Sequence, residues 1–339
     1  MKSKAKDKTI VLDSLSIGYR ERSGAERCVV PNINATIYSG ELTSLLGANG
    51  VGKSTLLRTM TANQPKLSGE VYYLGRELSS YTQKELSKMI SIVLTERVTI
   101  KNISVFELVS FGRSPYTGFW GGVSEADRKI VEESLQLVGI EHLANRMVQT
   151  LSDGERQKAM IAKALAQQTP IVLLDEPTAF LDFPSKVDIM QLLHRLSRQT
   201  QKTIFMSTHD LDLALQISDQ IWLMDGDRGV NAGIPEDLAL DGSLGNFFER
   251  KGIAFDSQTG LFRVDNAHTL EVELISKGGT HAESMVRKAL RRSGIATKSE
   301  LEDAAYRVSI IDQQMFVTLR SGEQIECSNI EEILNVVVP

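Results

Sequence analysis

Apolar and polar residues alternate over residues 9–20 and again over 27–38, around a polar connection, the period-two pattern of two strands joined by a turn. Leu42-Thr43-Ser44-Leu45-Leu46 is a short apolar run leading into a glycine cluster, and Lys53 to Met60 then reads as a helix. From about residue 105 to 166 the spacing is helical, broken at Gly112-Arg113-Ser114-Pro115 and Gly121-Gly122. Pro170 introduces Ile171-Val172-Leu173-Leu174, which length and composition predict as a fully buried strand. Val187, Met190, Leu193 and Leu196 give residues 183–200 one apolar helical face, and the pattern continues as strand 203–207, helix 211–217 and strand 220–224. Strands alternating with helices predict an α/β fold: a mainly parallel sheet covered on both faces.

Beyond about residue 265 the pattern changes. Leu270 to Ile275 is strand-like, and Thr280-His281-Ala282-Glu283 is a capping pattern opening a helix that Gly294 can stop. Residues 306–310 and 315–319 flank Asp312-Gln313-Gln314 as a hairpin, and 329–336 form a last helix. The expected organisation is a flexible tail over 1–8, a large unit over 9–264 with a helical subdomain at about 100–165, and a small α+β appendage over 265–339. The appendage exceeds the needs of the large unit, and is expected to add dimer contact or structural cover, or to restrain that unit as a regulatory domain; Lys277-Gly278-Gly279-Thr280 could bind an anion.

Composition narrows the class. The 339 residues suffice for about two domains. With 42% hydrophobic and 24% charged residues, the chain is globular rather than fibrous or disordered. Cys28 and Cys327 provide neither a disulfide framework nor zinc-ligand spacing, which fits a reducing cytoplasm. A net charge of −5 argues against a nucleic-acid partner. The N-terminal lysines precede no long apolar segment, so no signal peptide is expected, and no run approaches the ~20 apolar residues of a spanning helix. If this protein moves anything across a bilayer, another polypeptide forms the path.

The glycine cluster carries chemistry. Gly47-Ala48-Asn49-Gly50-Val51-Gly52-Lys53-Ser54-Thr55 fits G-x-x-x-x-G-K-[ST] between a strand and a helix. Glycines let backbone N–H groups approach phosphates, Lys53 would contact the β/γ-phosphates and Ser54 would ligate Mg²⁺. The buried strand 171–174 delivers Asp175 and Glu176 to its C-terminal end, where open α/β sheets bind ligands. Asp175 would hold Mg²⁺ through water, and Glu176 would orient or deprotonate an attacking water.

A third motif turns these two into a resemblance. Leu151-Ser152-Asp153-Gly154-Glu155 stands where ATP-binding subunits of ABC transporters have their LSGGQ signature, and the chain resembles that family over roughly residues 9–250. Ser152 with Glu155 is also a capping box that displays a helix N-terminus. The resemblance implies a phosphate-loop ABC cassette, a RecA-like core with a helical subdomain, in which Ser152 and Gly154 bind the γ-phosphate of ATP held by a second copy. It further implies that Tyr19 stacks on adenine, that Asp182 of Phe180-Leu181-Asp182 lies near the dimer interface, and that His209 of Ser207-Thr208-His209-Asp210 contacts the γ-phosphate. Two positions depart from the pattern: Asp153 and Glu155 replace Gly and Gln, and Thr95, followed by Glu96, stands where the family's Q-loop Gln would be. Thr95 or Glu96 is expected to substitute at the metal, Glu96 by reaching a metal-bound water.

The segment 106–116 and the run Gly121-Gly122-Val123-Ser124-Glu125-Ala126-Asp127 resemble the iron-siderophore, haem and vitamin B12 importer ATPases, near where a permease helix docks in that family. The implied function is ATP hydrolysis powering import of an iron chelate or cobalamin. The implied setting is a homodimer on the cytoplasmic face of the cell membrane, bound to permease subunits and served indirectly by a substrate-binding protein. The alternatives are a soluble ABC ATPase for cofactor assembly or nucleic-acid processing, and an exporter ATPase.

Overall fold

The structure is a computed structural model that describes residues 6–21, 24–94, 102–117, 122–248, 253–256, 261–264, 268–276, 281–301, 304–311 and 314–338. Two compact units emerge, Met1–Phe247 and Phe248–Pro339.

In the first unit the period-two segments become β1 (Lys8–Arg20) and β2 (Glu26–Tyr38), which pair antiparallel. Residues 61–89, unassigned from the pattern, supply β4 (Ser68–Tyr73), β5 (Arg76–Glu77) and helix α2 (Gln83–Met89), and the sheet order is β2-β1-β4-β5. Residues 6–8 belong to this unit rather than to a tail. Lys6 ion-pairs with buried Glu41, the Ser39 N–H donates to the Asp7 carbonyl at 3.0 Å, and Lys8 opens β1. Residues 1–5 lie outside the described residues.

The second sheet combines β3 (Leu42–Gly47), β6 (Ile90–Val93), β7 (Ile171–Leu174), β8 (Thr203–Ser207), β9 (Gln220–Asp225) and β10 (Gly229–Gly233), in the order β10-β9-β3-β8-β7-β6. Every pairing is parallel except that of β10 with β9. Strand alternation explains why β7 reads as continuously apolar. Ile171 and Leu173 join a core with Phe205, Trp222 and the β1–β2–β4 sheet, whereas Val172 and Leu174 join one with Ile204, Met206 and the helices. Helix α1 (Lys53–Met60) buries Leu56, Leu57 and Met60 in the first of these cores.

The helical segment resolves into α3 (Val105–Ser110), α4 (Glu125–Val138) and α5 (Asp153–Ala166). Gly112 lies in a short 3₁₀ turn after α3, and Gly139 ends α4 with a left-handed backbone, φ 74°. Arg113 is buried there, bonding Asp127 Oδ1 at 2.8 Å and the Ala166 carbonyl at 2.7 Å, and so ties α3, α4 and α5 together. Helices α6 (Phe183–Thr200), α7 (Leu211–Ile217), α8 (Pro235–Leu240) and α9 (Ser243–Phe248) follow, and the last residue of α9 is the first of the second unit.

The second unit begins earlier than the 265 boundary expected from the pattern. The hairpin β11 (Ile253–Asp256) and β12 (Leu261–Val264) belongs to it, and Phe262 packs on Phe248 with ring centroids 4.7 Å apart. A five-stranded sheet follows, built from β13 (Leu270–Ser276), β14 (Ile295–Lys298), β15 (Tyr306–Ile311), β16 (Gln314–Leu319) and β17 (Gln324–Cys327), ordered β14-β13-β15-β16-β17. Helices α10 (His281–Arg292) and α11 (Ile330–Val337) pack Val286, Leu290, Ile333 and Val337 against Val272, Val308 and Val317 of that sheet. The anion-loop residues 277–280 lie outside the described residues.

Candidate active site

The loop from β3 to α1 builds the centre of the site. At the α1 N-terminus the backbone leaves N–H groups without helical partners, and Gly52 at the N-cap supplies no side chain to satisfy them. Gly52 has φ 118°, and an added Cβ would come within 2.8 Å of Val29 Cγ1; Gly50 also needs a left-handed backbone, φ 76°. No acidic residue occupies the first turn of α1. The result is a row of donors at the positive end of a helix, a fit for phosphate oxygens. Lys53 is buried, with its ammonium donating to the Gly47 carbonyl at 2.9 Å and the Ala48 carbonyl at 3.2 Å, which holds a cation at the loop mouth. Ser54 is exposed, and Thr55 Oγ1 shares a 2.9 Å hydrogen bond with the hydroxyl of Tyr19, whose ring stays half exposed.

The adjacent parallel strands β7 and β8 deliver the carboxylates. Leu174 pairs with Met206, so the next residues lie side by side: Asp175 just past the end of β7 and Ser207 as the last residue of β8. Ser207 Oγ donates to Asp175 Oδ1 at 2.6 Å and accepts the Glu176 N–H at 2.9 Å. Glu176 adopts φ 47°, a left-handed backbone that costs a non-glycine residue about 1–2 kcal/mol. Its carboxylate bonds the His209 Nε2, and both groups remain partly exposed. Asp210, next along, accepts from Thr178 Oγ1 at 2.6 Å and from Lys186 Nζ at 2.7 Å, joining the His209 loop to the segment after Glu176 and to α6.

One cleft is lined by Tyr19, Asn49, Gly50, Gly52, Lys53, Ser54, Thr55, Glu176 and His209. The structure therefore brings together nine of the residues singled out in the sequence. Gly47 contributes from beneath through its carbonyl, and Asp175 is fixed beside Glu176 by Ser207. The Ser54 hydroxyl and the Asp175 carboxylate are oxygen donors of the kind Mg²⁺ takes together with phosphate and water. Among the described residues no group of three His, Cys, Asp or Glu could hold a metal by itself. Thr95 and Glu96 lie outside the described residues.

Ser152, Gly154 and Asp182 do not line this cleft. Ser152 is the N-cap of α5: its hydroxyl accepts the Glu155 N–H at 3.2 Å, and Glu155 Oε2 accepts the Ser152 N–H at 2.8 Å. That backbone hydrogen bond, with the Ser152 hydroxyl and nearby Arg146, holds the Glu155 carboxyl below its ordinary range. Asp153 is drawn to Arg156, 3.3 Å away. A Cβ on Gly154 would stop 3.3 Å from Ser185 Oγ, so α5 opens against the start of α6. Asp182 caps α6 by accepting the Ser185 N–H at 3.2 Å, and this bonding lowers its pKa. Phe180 and Phe183 on either side are strongly exposed.

Ser207 and Asp210 were not assigned roles from the sequence. The available signal was small: two polar residues flanking Thr208-His209 at the end of an otherwise apolar strand.

The ABC transporter family profile matches residues 30–179. An uncharacterised ABC transporter ATP-binding protein of Methanocaldococcus jannaschii is 36% identical over 272 residues, covering 80% of this chain and 92% of that protein. The iron(3+)-hydroxamate import ATP-binding protein of Bacillus subtilis is 38% identical over 206 residues, covering 61% of this chain and 75% of that protein. Among solved structures, a dimeric ATP-binding cassette bound to ADP and phosphate superposes with a TM-score of 0.57 at 28% identity, covering 67% of this chain and 98% of that one. A glycine loop on a helix N-terminus, a carboxylate pair at the end of a buried strand and relatives that share most of their length with this chain lead to one conclusion: it belongs to the ATP-binding subunits of ABC transporters, which hydrolyse ATP to power transport.

Proposed function

We propose that this chain powers import of an iron chelate, a siderophore or haem, or of cobalamin, as a homodimer docked on separate membrane permease subunits at the cytoplasmic face of the cell membrane. A substrate-binding protein would hand the cargo to the permease. The single observation that carries the two-chain reading is the separation, within one chain, of the α5 N-terminus from the cleft that holds Lys53, Glu176 and His209. One copy offers a loop and the other offers Ser152 and Gly154, so two copies facing each other enclose two ATP molecules. Asp182, near the same surface, would meet the opposite copy. The cargo class draws support from the similarity to the iron(3+)-hydroxamate import protein. Permease docking draws support from Phe111 and Tyr116, which remain exposed on the helical subdomain. Among the described residues no helix is long and apolar enough to cross a membrane.

In the proposed cycle Tyr19 stacks on adenine, Asn49, Gly50, Gly52 and Thr55 line the phosphates, and Lys53 neutralises the β/γ charge. Ser54 and Asp175 would hold Mg²⁺, with Thr95 or Glu96 in the position of the Q-loop. Bound Mg²⁺ would supply charge neutralisation on the phosphates. Glu176 receives the proton of the attacking water, and His209 orients Glu176 and touches the γ-phosphate. Closure of the dimer moves the helical subdomains with the permease, and hydrolysis reopens it.

The test uses Glu176→Gln, which keeps the side-chain shape and removes the base. With Mg-ATP the variant is expected to elute as a dimer and, in cells lacking the native chain, to leave import of an iron(3+)-hydroxamate unrestored where wild type restores it. A variant that stays monomeric overturns the sandwich, and wild-type restoration of import overturns the role of Glu176.

A further inference from the structure

The hydroxyl of Ser207 has only one arrangement open to it. A carboxylate can only accept and a backbone N–H can only donate, so the single Ser207 proton goes to Asp175 Oδ1, 2.6 Å away, and a lone pair takes the Glu176 N–H at 2.9 Å. Ser207 is fully buried, so no solvent stands ready to replace either bond. The bridge joins the ends of two neighbouring parallel strands, and His209, two residues further on, reaches back to the Glu176 carboxylate.

We infer that Ser207 is a positioning residue for ATP hydrolysis, whose hydroxyl sets both the metal-side carboxylate of Asp175 and the left-handed backbone that aims Glu176. This deepens the reading of Asp175 and Glu176 given above and rests on it. Each end of the bridge controls a different group. The donated proton holds Asp175 Oδ1 and so sets the orientation of the carboxylate. The accepted N–H helps to hold Glu176 at φ 47°, a conformation the surroundings must impose because the residue alone disfavours it. Strand β8 therefore does more than carry the histidine: it couples the histidine loop to the carboxylate pair through one buried oxygen.

The experiment is fluorescent-ATP binding by the purified full-length chain with and without Mg²⁺, alongside ATPase rates, for Ser207→Ala, Ser207→Cys and Ser207→Thr. Binding without Mg²⁺ rests on the glycine loop and Lys53 and is expected to be unchanged in all three. The gain in affinity on adding Mg²⁺ should fall about tenfold in Ser207→Ala, as expected for one lost charge-assisted bond, and kcat should fall by more than KM rises. Cysteine, similar in shape but a poor donor, should behave like alanine, and threonine, which keeps the hydroxyl, should restore the Mg²⁺ response. Equal losses with and without Mg²⁺ would mean a general packing defect and overturn the inference, as would wild-type behaviour of Ser207→Ala. Asp175→Asn and Glu176→Gln run in parallel. If they lose Mg²⁺ response and turnover respectively while Ser207→Ala does not, only the role of Ser207 fails; if they too are silent, the carboxylate assignment fails with it.

Discussion

Two helix N-termini in this protein are finished in opposite ways. Helix α5 closes its own end with Ser152 and Glu155, and α2, α3 and α4 do the same with Thr82 and Glu85, Ser104 and Glu107, and Ser124 and Asp127. Helix α1 alone among these five has a glycine N-cap, no side-chain cap and no acid in its first turn. A capped end stands without a ligand, whereas α1 leaves its donors to be satisfied by whatever enters the cleft. Under the function proposed above, the difference separates two tasks: α1 would bind a nucleotide in a single chain, and α5 would present a finished surface to a nucleotide held by a second copy.

The largest effect that could break this contrast is expected at Gly52. Gly52→Ala places a Cβ 2.8 Å from Val29 Cγ1 at a φ of 118°, a conformation whose strain for a non-glycine residue is about 1–3 kcal/mol before the clash is counted. The loop must rearrange and its N–H groups turn away. ATP affinity of the isolated chain is expected to fall at least about 100-fold by equilibrium binding. Near-native affinity would show that the open end of α1 is not what holds the phosphates.

The same contrast explains what could be read from the sequence. The glycine loop was legible because its spacing is a backbone requirement, and β7 because a strand buried on both faces has no polar position until Asp175. The capping box at Ser152 was legible for the same local reason. Ser207 and Asp210 were not, since their partners, Asp175 and Glu176 for one and Thr178 and Lys186 for the other, lie 24 to 32 residues away in sequence and meet only when β7, β8 and α6 pack. The small strands β14 and β17 were missed because four residues are too few for a period to show, and they are defined by pairing to β13 and β16. The start of the second unit was misjudged because the Phe248–Phe262 contact is tertiary.

A smaller effect is expected at Ser152. Ser152→Ala removes the α5 cap, at a cost of about 1 kcal/mol in stability. Binding of ATP to the isolated chain should stay within about twofold of wild type, while Mg-ATP-driven dimerisation, followed by size-exclusion chromatography in the Glu176→Gln background, should be lost. Should Ser152→Ala weaken binding by the isolated chain as severely as Gly52→Ala, both ends would be acting on one nucleotide within one chain, and the division of labour would collapse.

The smallest effect sharpens the comparison through pH. The Ser152 N–H, the Ser152 hydroxyl and the nearby charges of Arg146 and His142 hold the Glu155 carboxyl below its ordinary value in the folded chain. A group whose pKa is depressed by folding adds stability above its unfolded pKa, about 4.3, and loses it as pH falls through the folded value. Glutamine at this position still closes the cap but carries no charge. Wild type should therefore exceed Glu155→Gln in urea midpoint by the equivalent of about 0.5 kcal/mol at pH 6, the usual size of a carboxylate at an exposed helix N-terminus, and the gap should shrink steadily below about pH 4. A gap that persists undiminished at pH 3 would mean that the α5 end is closed by shape alone. In that case its negative charge, so unlike the bare α1 end, would have another purpose than capping.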